Sequence, residues 1–278
     1  MKRTAVVTIG IVVSASALSG CRGVSYPGAN LGAHRPLTVP AGWISQPPPA
    51  DTSGWMCANW APEHWHVDTT AAGDLRLSPG SGWSTPLYRT TGGFLQGINR
   101  GEFGGELEWL DSSGSKPRMT VVLHKANPIV FTPTSAGIFL WDGLAHLGGR
   151  RGSLLRLTRV DAGEWHVDSV LSLPSSPEAV AIVDSSHFIV ASPEGIFGVD
   201  SHARTATWLY RNDQWALTYP TSILVAPTGT IYVGMRRAVA QLDSTLGGYH
   251  EVWLVPSTCP RHVRGIDGMP CACAKGAT

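Results

Sequence analysis

Six side chains in this sequence could share chemistry: Arg100, Glu102, His146, Glu178, Tyr219 and Arg236. They are far apart in the chain, yet each sits in a segment broken by glycine or proline, as turns are. The segments are Asn99-Arg100-Gly101-Glu102-Phe103-Gly104-Gly105, Asp142-Gly143-Leu144-Ala145-His146-Leu147, Ser176-Pro177-Glu178-Ala179, Leu217-Thr218-Tyr219-Pro220-Thr221-Ser222 and Gly234-Met235-Arg236-Arg237, with Pro193-Glu194 a further short turn. His146 and Glu178 are candidate general bases, since an imidazole titrates near neutrality and a carboxylate accepts protons, while Arg100 or Arg236 would hold a developing anion. The same groups could instead bind a carboxylate or a saccharide without reaction, arginine supplying paired hydrogen bonds. A third use is structural, with Arg100 paired to Glu102 and Glu178 to Arg236 as ion pairs between neighbouring elements. The residue types leave all three open.

These segments belong together only if the fold repeats. In Thr230-Ile231-Tyr232-Val233-Gly234-Met235-Arg236-Arg237-Ala238-Val239-Ala240-Gln241-Leu242-Asp243 a short apolar strand breaks at a glycine turn, and an alternating strand then resumes. The unit returns at His187 to Asp200 and, more loosely, at Gly137 to Gly143 and Gly93 to Asn99. Aligning Phe94, Ile138, Phe188 and Ile231 gives spacings of 44, 50 and 43 residues. That is the length of one four-stranded propeller blade. Trp65-His66-Val67-Asp68 also recurs as Trp165-His166-Val167-Asp168, and both copies are expected on outer strands. The fold class expected is all-β, a β-propeller of about five blades with six as the next count. Blades stacked around one axis bring the turns after their second strands, and the segments leading into their first strands, to one end of a central channel. The six side chains above would then meet there.

Composition agrees with many short strands: the 278 residues include 32 Gly, 20 Pro and 11 Trp. Lysine and arginine number 21 against 20 acidic residues, which excludes the basic footprint of a nucleic-acid partner. There is no G-x-S-x-G, P-loop or H-E-x-x-H signature. Trp83, Trp109, Trp141, Trp208 and Trp215 could stack on sugars or fill the core.

The chain opens with Met-Lys-Arg, an apolar run from Ala5 to Val13 and small residues up to Leu18-Ser19-Gly20-Cys21, the layout of an export signal too short to span a membrane. Leu18 to Cys21 resembles the lipobox of bacterial lipoproteins. That resemblance implies cleavage before Cys21, acyl chains on its sulfur, and attachment to the cell envelope. Arg22 stands where an Asp would mark inner-membrane retention in enteric bacteria, so the outer membrane is expected in a Gram-negative cell. Residues 21–50, with Pro27, Pro36, Pro40 and Pro47-Pro48-Pro49, read as a tether, residues 51–256 as the propeller and 257–278 as a tail.

Tyr219-Pro220-Thr221-Ser222-Ile223, followed by Pro227-Thr228-Gly229-Thr230-Ile231-Tyr232-Val233, resembles the blades of NHL, YWTD and gluconolactonase or strictosidine-synthase propellers. In the lactonase branch a channel divalent ion is held by Glu, Asn and Asp. The resemblance implies Glu178 for the first, but Thr221-Ser222 stands where the Asn would be. No cofactor is therefore expected, the channel ion and a tail zinc being the alternatives.

Four further cysteines, Cys57, Cys259, Cys271 and Cys273, would face an oxidising compartment and allow up to two disulfides. A Cys271–Cys273 bridge would strain its loop, so Cys57 is expected to pair into the tail. Cys259, His262, Cys271 and Cys273 as a zinc site is the rival arrangement. The expected partners are the membrane through the lipid and either a small molecule or an envelope protein. The expected role is binding of an anionic or saccharide ligand at the channel mouth, with a lactonase- or esterase-like hydrolase and a scaffold as alternatives.

Overall fold

A computed structural model describes residues 35–80, 85–113, 117–123, 126–161 and 164–257. The expected signal peptide, Cys21, Trp83 and the tail cysteines Cys259, Cys271 and Cys273 lie outside them. Chain order begins with β1 (Trp43–Gln46), α1 (Thr52–Asn59) and a hairpin of β2 (His64–Thr69) and β3 (Leu75–Gly80). Four four-stranded antiparallel meanders follow. They are β4 (Leu87–Thr90) with β5 (Gly93–Asn99), β6 (Gly105–Asp111) and β7 (Pro117–Leu123), then β8 (Asn127–Thr134) with β9 (Gly137–His146), β10 (Gly149–Asp161) and β11 (Glu164–Leu173). The last two are β12 (Ala179–Ile182) with β13 (His187–Ser192), β14 (Gly195–Asp200) and β15 (Thr205–Arg211), and β16 (Ser222–Val225) with β17 (Ile231–Gly234), β18 (Val239–Thr245) and β19 (Gly248–Pro256). These are propeller blades, and with the hairpin they make five sheets.

Phe94, Ile138, Phe188 and Ile231 each fall at the start of a second strand, and in β13 and β17 that strand is buried almost throughout. Burial on both faces is what makes those stretches uniformly apolar. Core clusters then form between successive sheets. Leu95, Leu107, Leu140 and Leu157 join the first two blades, Trp141, Phe188, Val190 and Phe197 the next two, and Ile196, Trp215, Val233 and Trp253 the last two.

A repeated joint sets how closely the blades approach. A Cβ on Gly97 would lie 2.4 Å from Pro128 Cβ, and one on Gly143 or Gly152 would lie 2.6 Å from Pro177 Cδ. Proline at the head of one blade is thus seated on bare backbone of the blade before it. Asn127 locks the first joint, its Oδ1 accepting from Arg100 N at 2.9 Å and its Nδ2 donating to the Gly101 carbonyl at 2.8 Å.

Three sequence expectations change. Trp43–Gln46, read as tether, form β1 and pair with β19 as the fifth strand of the last sheet. Pro40 and Pro47 flank only these few residues and leave too short a run to show alternation. A helix unseen in the sequence, α1, starts where the Asp51 carboxylate accepts from Gly54 N at 2.8 Å, an N-cap. The two Trp-His-Val-Asp copies also part company. Trp165 to Asp168 lie in the outermost strand β11, whereas Trp65 to Asp68 lie in β2, which packs on β16 and β17. Val67 N donates to Ser222 Oγ at 3.1 Å there. Alternation fixes which face is apolar but not a strand's place in its sheet.

Candidate functional site

The turns after second strands and the segments before first strands lie at one end of the sheets, because consecutive strands alternate in direction. A cleft of about 190 Å³ opens there, with His146, Arg150, Glu178, Pro193, Ala216 and Tyr219 among its lining residues. His146, Glu178 and Tyr219 were expected at this end and share the cleft. The other three are not among its lining residues. Glu102, on a 3₁₀ turn at Gly101–Phe103, has Oε2 2.9 Å from His146 Nε2 and ties the first blade to the second. Arg236 lies over the Tyr219 ring, 4.5 Å from its centroid. Arg100 pairs with Glu106 at 2.8 Å and does not line the cleft.

The pairing considered from sequence, Arg100 with Glu102, is replaced by these two contacts. Glu106 sits on β6 across from Ile98, within reach of Arg100 at the end of β5, while the 3₁₀ turn carries Glu102 toward the next blade. Arg236 bonds His64 Nε2 at 3.3 Å and the Asn59 carbonyl, which anchors it to the hairpin side. His64 Nε2 accepts in that bond, and burial together with the Arg236 charge lowers the imidazole below its ordinary pKa. Asp142 to His146, expected as a loop, form the last part of β9. Asp142 is buried, accepts from Ser153 N at 2.8 Å, and has its carboxyl pushed up by that burial.

Arg150 is a site residue that sequence reasoning missed, and Glu194, placed at this end with the Pro193-Glu194 turn, stands outside the six. They pair at 2.9 Å, both mostly buried, across the second and third blades. Arg211 adds a second, longer contact to Glu194 at 3.5 Å. The available signal was position alone, since Arg150 follows the Gly148-Gly149 turn and Glu194 occupies the equivalent turn of the next repeat.

Tyr219 is positioned by a 3₁₀ turn at Asp213–Leu217. Asn212 caps it, and the Trp215 carbonyl accepts from both Thr218 N and Tyr219 N, at 3.0 and 3.1 Å. Tyr219 has φ +51° and Leu147 φ +46°, left-handed conformations that non-glycine residues rarely hold. Both line the cleft. Strained residues of this kind persist where the surrounding structure over-determines them, which happens most at binding and switch sites.

Chemically, the cleft offers one aromatic ring, one half-buried carboxylate at Glu178, hydrogen-bonded by Ser176 Oγ at 3.2 Å, and a carboxylate–imidazole pair at its rim. Of the tryptophans considered for sugar stacking, Trp109, Trp141 and Trp215 are core residues, at most 3% exposed, and Trp208 packs edge-on against Phe197. Among the described residues no three His, Cys, Asp or Glu side chains converge as a metal site.

No protein-family model and no curated protein matches the chain. Solved structures to which it is similar include the computationally designed Ika8 protein, at 13% identity and TM-score 0.38 over 68% of this chain and 55% of that one. Streptogramin B lyase is similar at 11% identity and TM-score 0.35, over 75% of this chain and 58% of that one. A chain of a mitotic checkpoint complex is similar at 11% identity and TM-score 0.32, over 89% and 93%. The chain thus spans just over half the length of the first two.

Proposed function

We propose that this protein is an exported, lipid-anchored β-propeller that binds a small saccharide in the cleft at its channel mouth. The observation carrying this reading is the state of the charges in that cleft. Arg150 is already neutralised by Glu194, and Arg236 is held by Asn59, His64 and the Tyr219 ring. A small anion would find no spare guanidinium there. A polyol would find the Glu178 carboxylate as acceptor, the Arg150–Glu194 pair as a fixed donor and acceptor, and the ring of Tyr219 for its C–H face. Ligand pockets for drug-sized molecules run to roughly 300–1,000 Å³, so a cleft of about 190 Å³ suits one sugar ring with the remainder in solvent.

The anchor belongs to the same reading. Cys21 would carry the acyl chains, each buried CH₂ adding about 0.8 kcal/mol of membrane affinity. Cys57 would pair into the tail as a disulfide, which an oxidising compartment permits.

The test is a thermal-shift and calorimetry screen of mono- and disaccharides against organic acids, with Glu178→Gln and Tyr219→Ala beside the parent chain. A sugar that raises the melting temperature by mass action, and loses at least tenfold in affinity in both variants, supports the reading. Acids binding where sugars do not would overturn it. Mass spectrometry of the envelope fraction, parent against Cys21→Ser, checks the acylation.

A further inference from the structure

The opposite end of the sheets carries a second cleft, of about 470 Å³, between the β8–β11 and β12–β15 blades. It lies at the turns β8–β9, β12–β13 and β14–β15, which point away from the saccharide cleft. Phe139 and Val170 form apolar wall, and Arg156, Arg204, His202 and the hydroxyls of Ser185, Ser186 and Ser201 supply the polar lining.

The charge balance here is the reverse of that at the mouth. The one carboxylate in the lining, Asp168, stands 3.8 Å from Arg156 and is closer to His166, at 2.9 Å. Two carboxylates in the bordering turns, Asp184 and Asp200, are consumed inside those turns. Asp184 accepts from Ser186 N and His187 N at 2.8 and 2.9 Å and pairs with the His187 ring. Asp200 accepts from His202 N and Ala203 N at 2.9 and 2.8 Å. Arg204 makes no ion pair among the described residues.

The cleft is also built rigidly. Ser201 Oγ donates to the Ser186 carbonyl at 3.1 Å, joining two of the turns. Arg204 is held at φ +55°. Four non-glycine residues have positive φ among the described residues, and Arg204 is the one at this end, while Leu147 and Tyr219 line the mouth cleft. An arginine that makes no ion pair among the described residues, lining one cleft with Arg156 and the Ser185 hydroxyl, is an arrangement that receives oxyanions.

We propose that this cleft is a second binding site, for a phosphate group, with Arg156 and Arg204 contacting the oxygens and the Ser185 hydroxyl donating beside them. The phosphate could belong to a soluble monoester or to a phospholipid headgroup, and the chemistry of recognition is the same.

The experiment uses the chain with Cys21→Ser to block acylation, and compares parent, Arg156→Gln/Arg204→Gln and Glu178→Gln. Melting temperature is followed against inorganic phosphate and glycerol phosphate, with chloride at equal ionic strength as reference. Phosphate is expected to raise the melting temperature of the parent and of Glu178→Gln in a saturable way, with apparent affinity falling at least tenfold in the double arginine variant. Because phosphate also stabilises proteins by exclusion from their surface, an equal rise in the double variant overturns the proposal. No saturable rise in the parent overturns it too. Co-sedimentation with phosphatidic acid vesicles, scored against phosphatidylcholine vesicles, names the source. Binding lost in the double variant assigns the site to a headgroup, and a saturable shift without sedimentation assigns it to a soluble monoester.

Discussion

Glu251→Gln should cost this protein about 2–4 kcal/mol of stability, although the substitution changes one atom. Glu251, on β19, is 8% exposed and accepts four hydrogen bonds. Its Oε1 takes Trp215 Nε1 at 3.0 Å and Trp253 Nε1 at 2.8 Å, and its Oε2 takes Asn212 Nδ2 at 2.8 Å and the Tyr210 hydroxyl. Glutamine has one carbonyl oxygen to offer. Placed toward the two indoles, it turns its NH₂ on the Asn212 amide and the Tyr210 hydroxyl. Tyr210 can rotate to accept, but one donor is stranded. Each stranded buried donor costs about 1–3 kcal/mol, and the surviving bonds lose their charge assistance, about 1 kcal/mol in sum. Relief from carboxylate desolvation offsets part of this.

The assay is urea unfolding followed by tryptophan fluorescence, with the slope compared between variants so that a change in cooperativity is not read as a change in stability. Glu251→Ala removes all four acceptors and should lose more than Glu251→Gln. A loss below about 0.5 kcal/mol in Glu251→Gln would refute the reasoning, since surface substitutions move stability by no more than that. The consequence reaches the cleft, because the Trp215 carbonyl holds Thr218 N and Tyr219 N. Sugar affinity should weaken in Glu251→Gln without any change to a lining residue.

Gly143→Ala should destabilise by about 1–3 kcal/mol, its Cβ falling 2.5 Å from Ser176 Oγ and 2.6 Å from Pro177 Cδ; urea midpoints measure it. Gly148→Ala is the contrasting case, with φ +80° and nothing within 4 Å, and should lose only the backbone term of about 1 kcal/mol. His64 is held below its unfolded value of about 6.5, so its contribution is full above that pH and is lost as pH falls toward the folded pKa. His64→Gln keeps an acceptor for Arg236, and its urea midpoint should fall less between pH 7.5 and 5 than the parent's. Cys57→Ser should cost about 2–4 kcal/mol, matched in the parent by reductant, and non-reducing peptide mapping should recover Cys57 joined to a tail peptide.

The period was legible because apolar second strands recur, buried on both faces in β13 and β17, and glycine turns precede Phe94, Ile138 and Ile231. Convergence of His146, Glu178 and Tyr219 on one end follows from the same repeat. Contacts within that end were not legible. Whether Arg100 meets Glu102 or Glu106 depends on where one 3₁₀ turn aims a side chain, and sequence adjacency points to the wrong one. Glu251 was invisible for a related reason. Its four donors come from β15, the following turn and its own strand, and a lone Glu in an apolar strand carries no sign of them. The strand β1 and helix α1 are each too short to impose a period.

Those two short elements matter most where the repeat is incomplete. Among the described residues the β2–β3 hairpin has two strands where the blades have four, and two strands present less apolar face to a neighbour than four do. Leu37, Val39 and Trp43, which precede the hairpin, pack with its Val67, Leu75 and Leu77 and with Tyr232, Val239 and Leu254 of the last blade. Among the described residues, the chain before the hairpin thus supplies part of the face that two further strands supply in the four-stranded blades. β1 extends the last sheet in the same region, and α1 sets Trp55 edge-on against Trp253 at 5.0 Å. Arg236 crosses this seam to Asn59 and His64 while its guanidinium covers Tyr219. One side chain therefore couples the seam to the cleft, and a disturbance of the hairpin side should reach the proposed saccharide site through Tyr219 before it reaches His146 or Glu178.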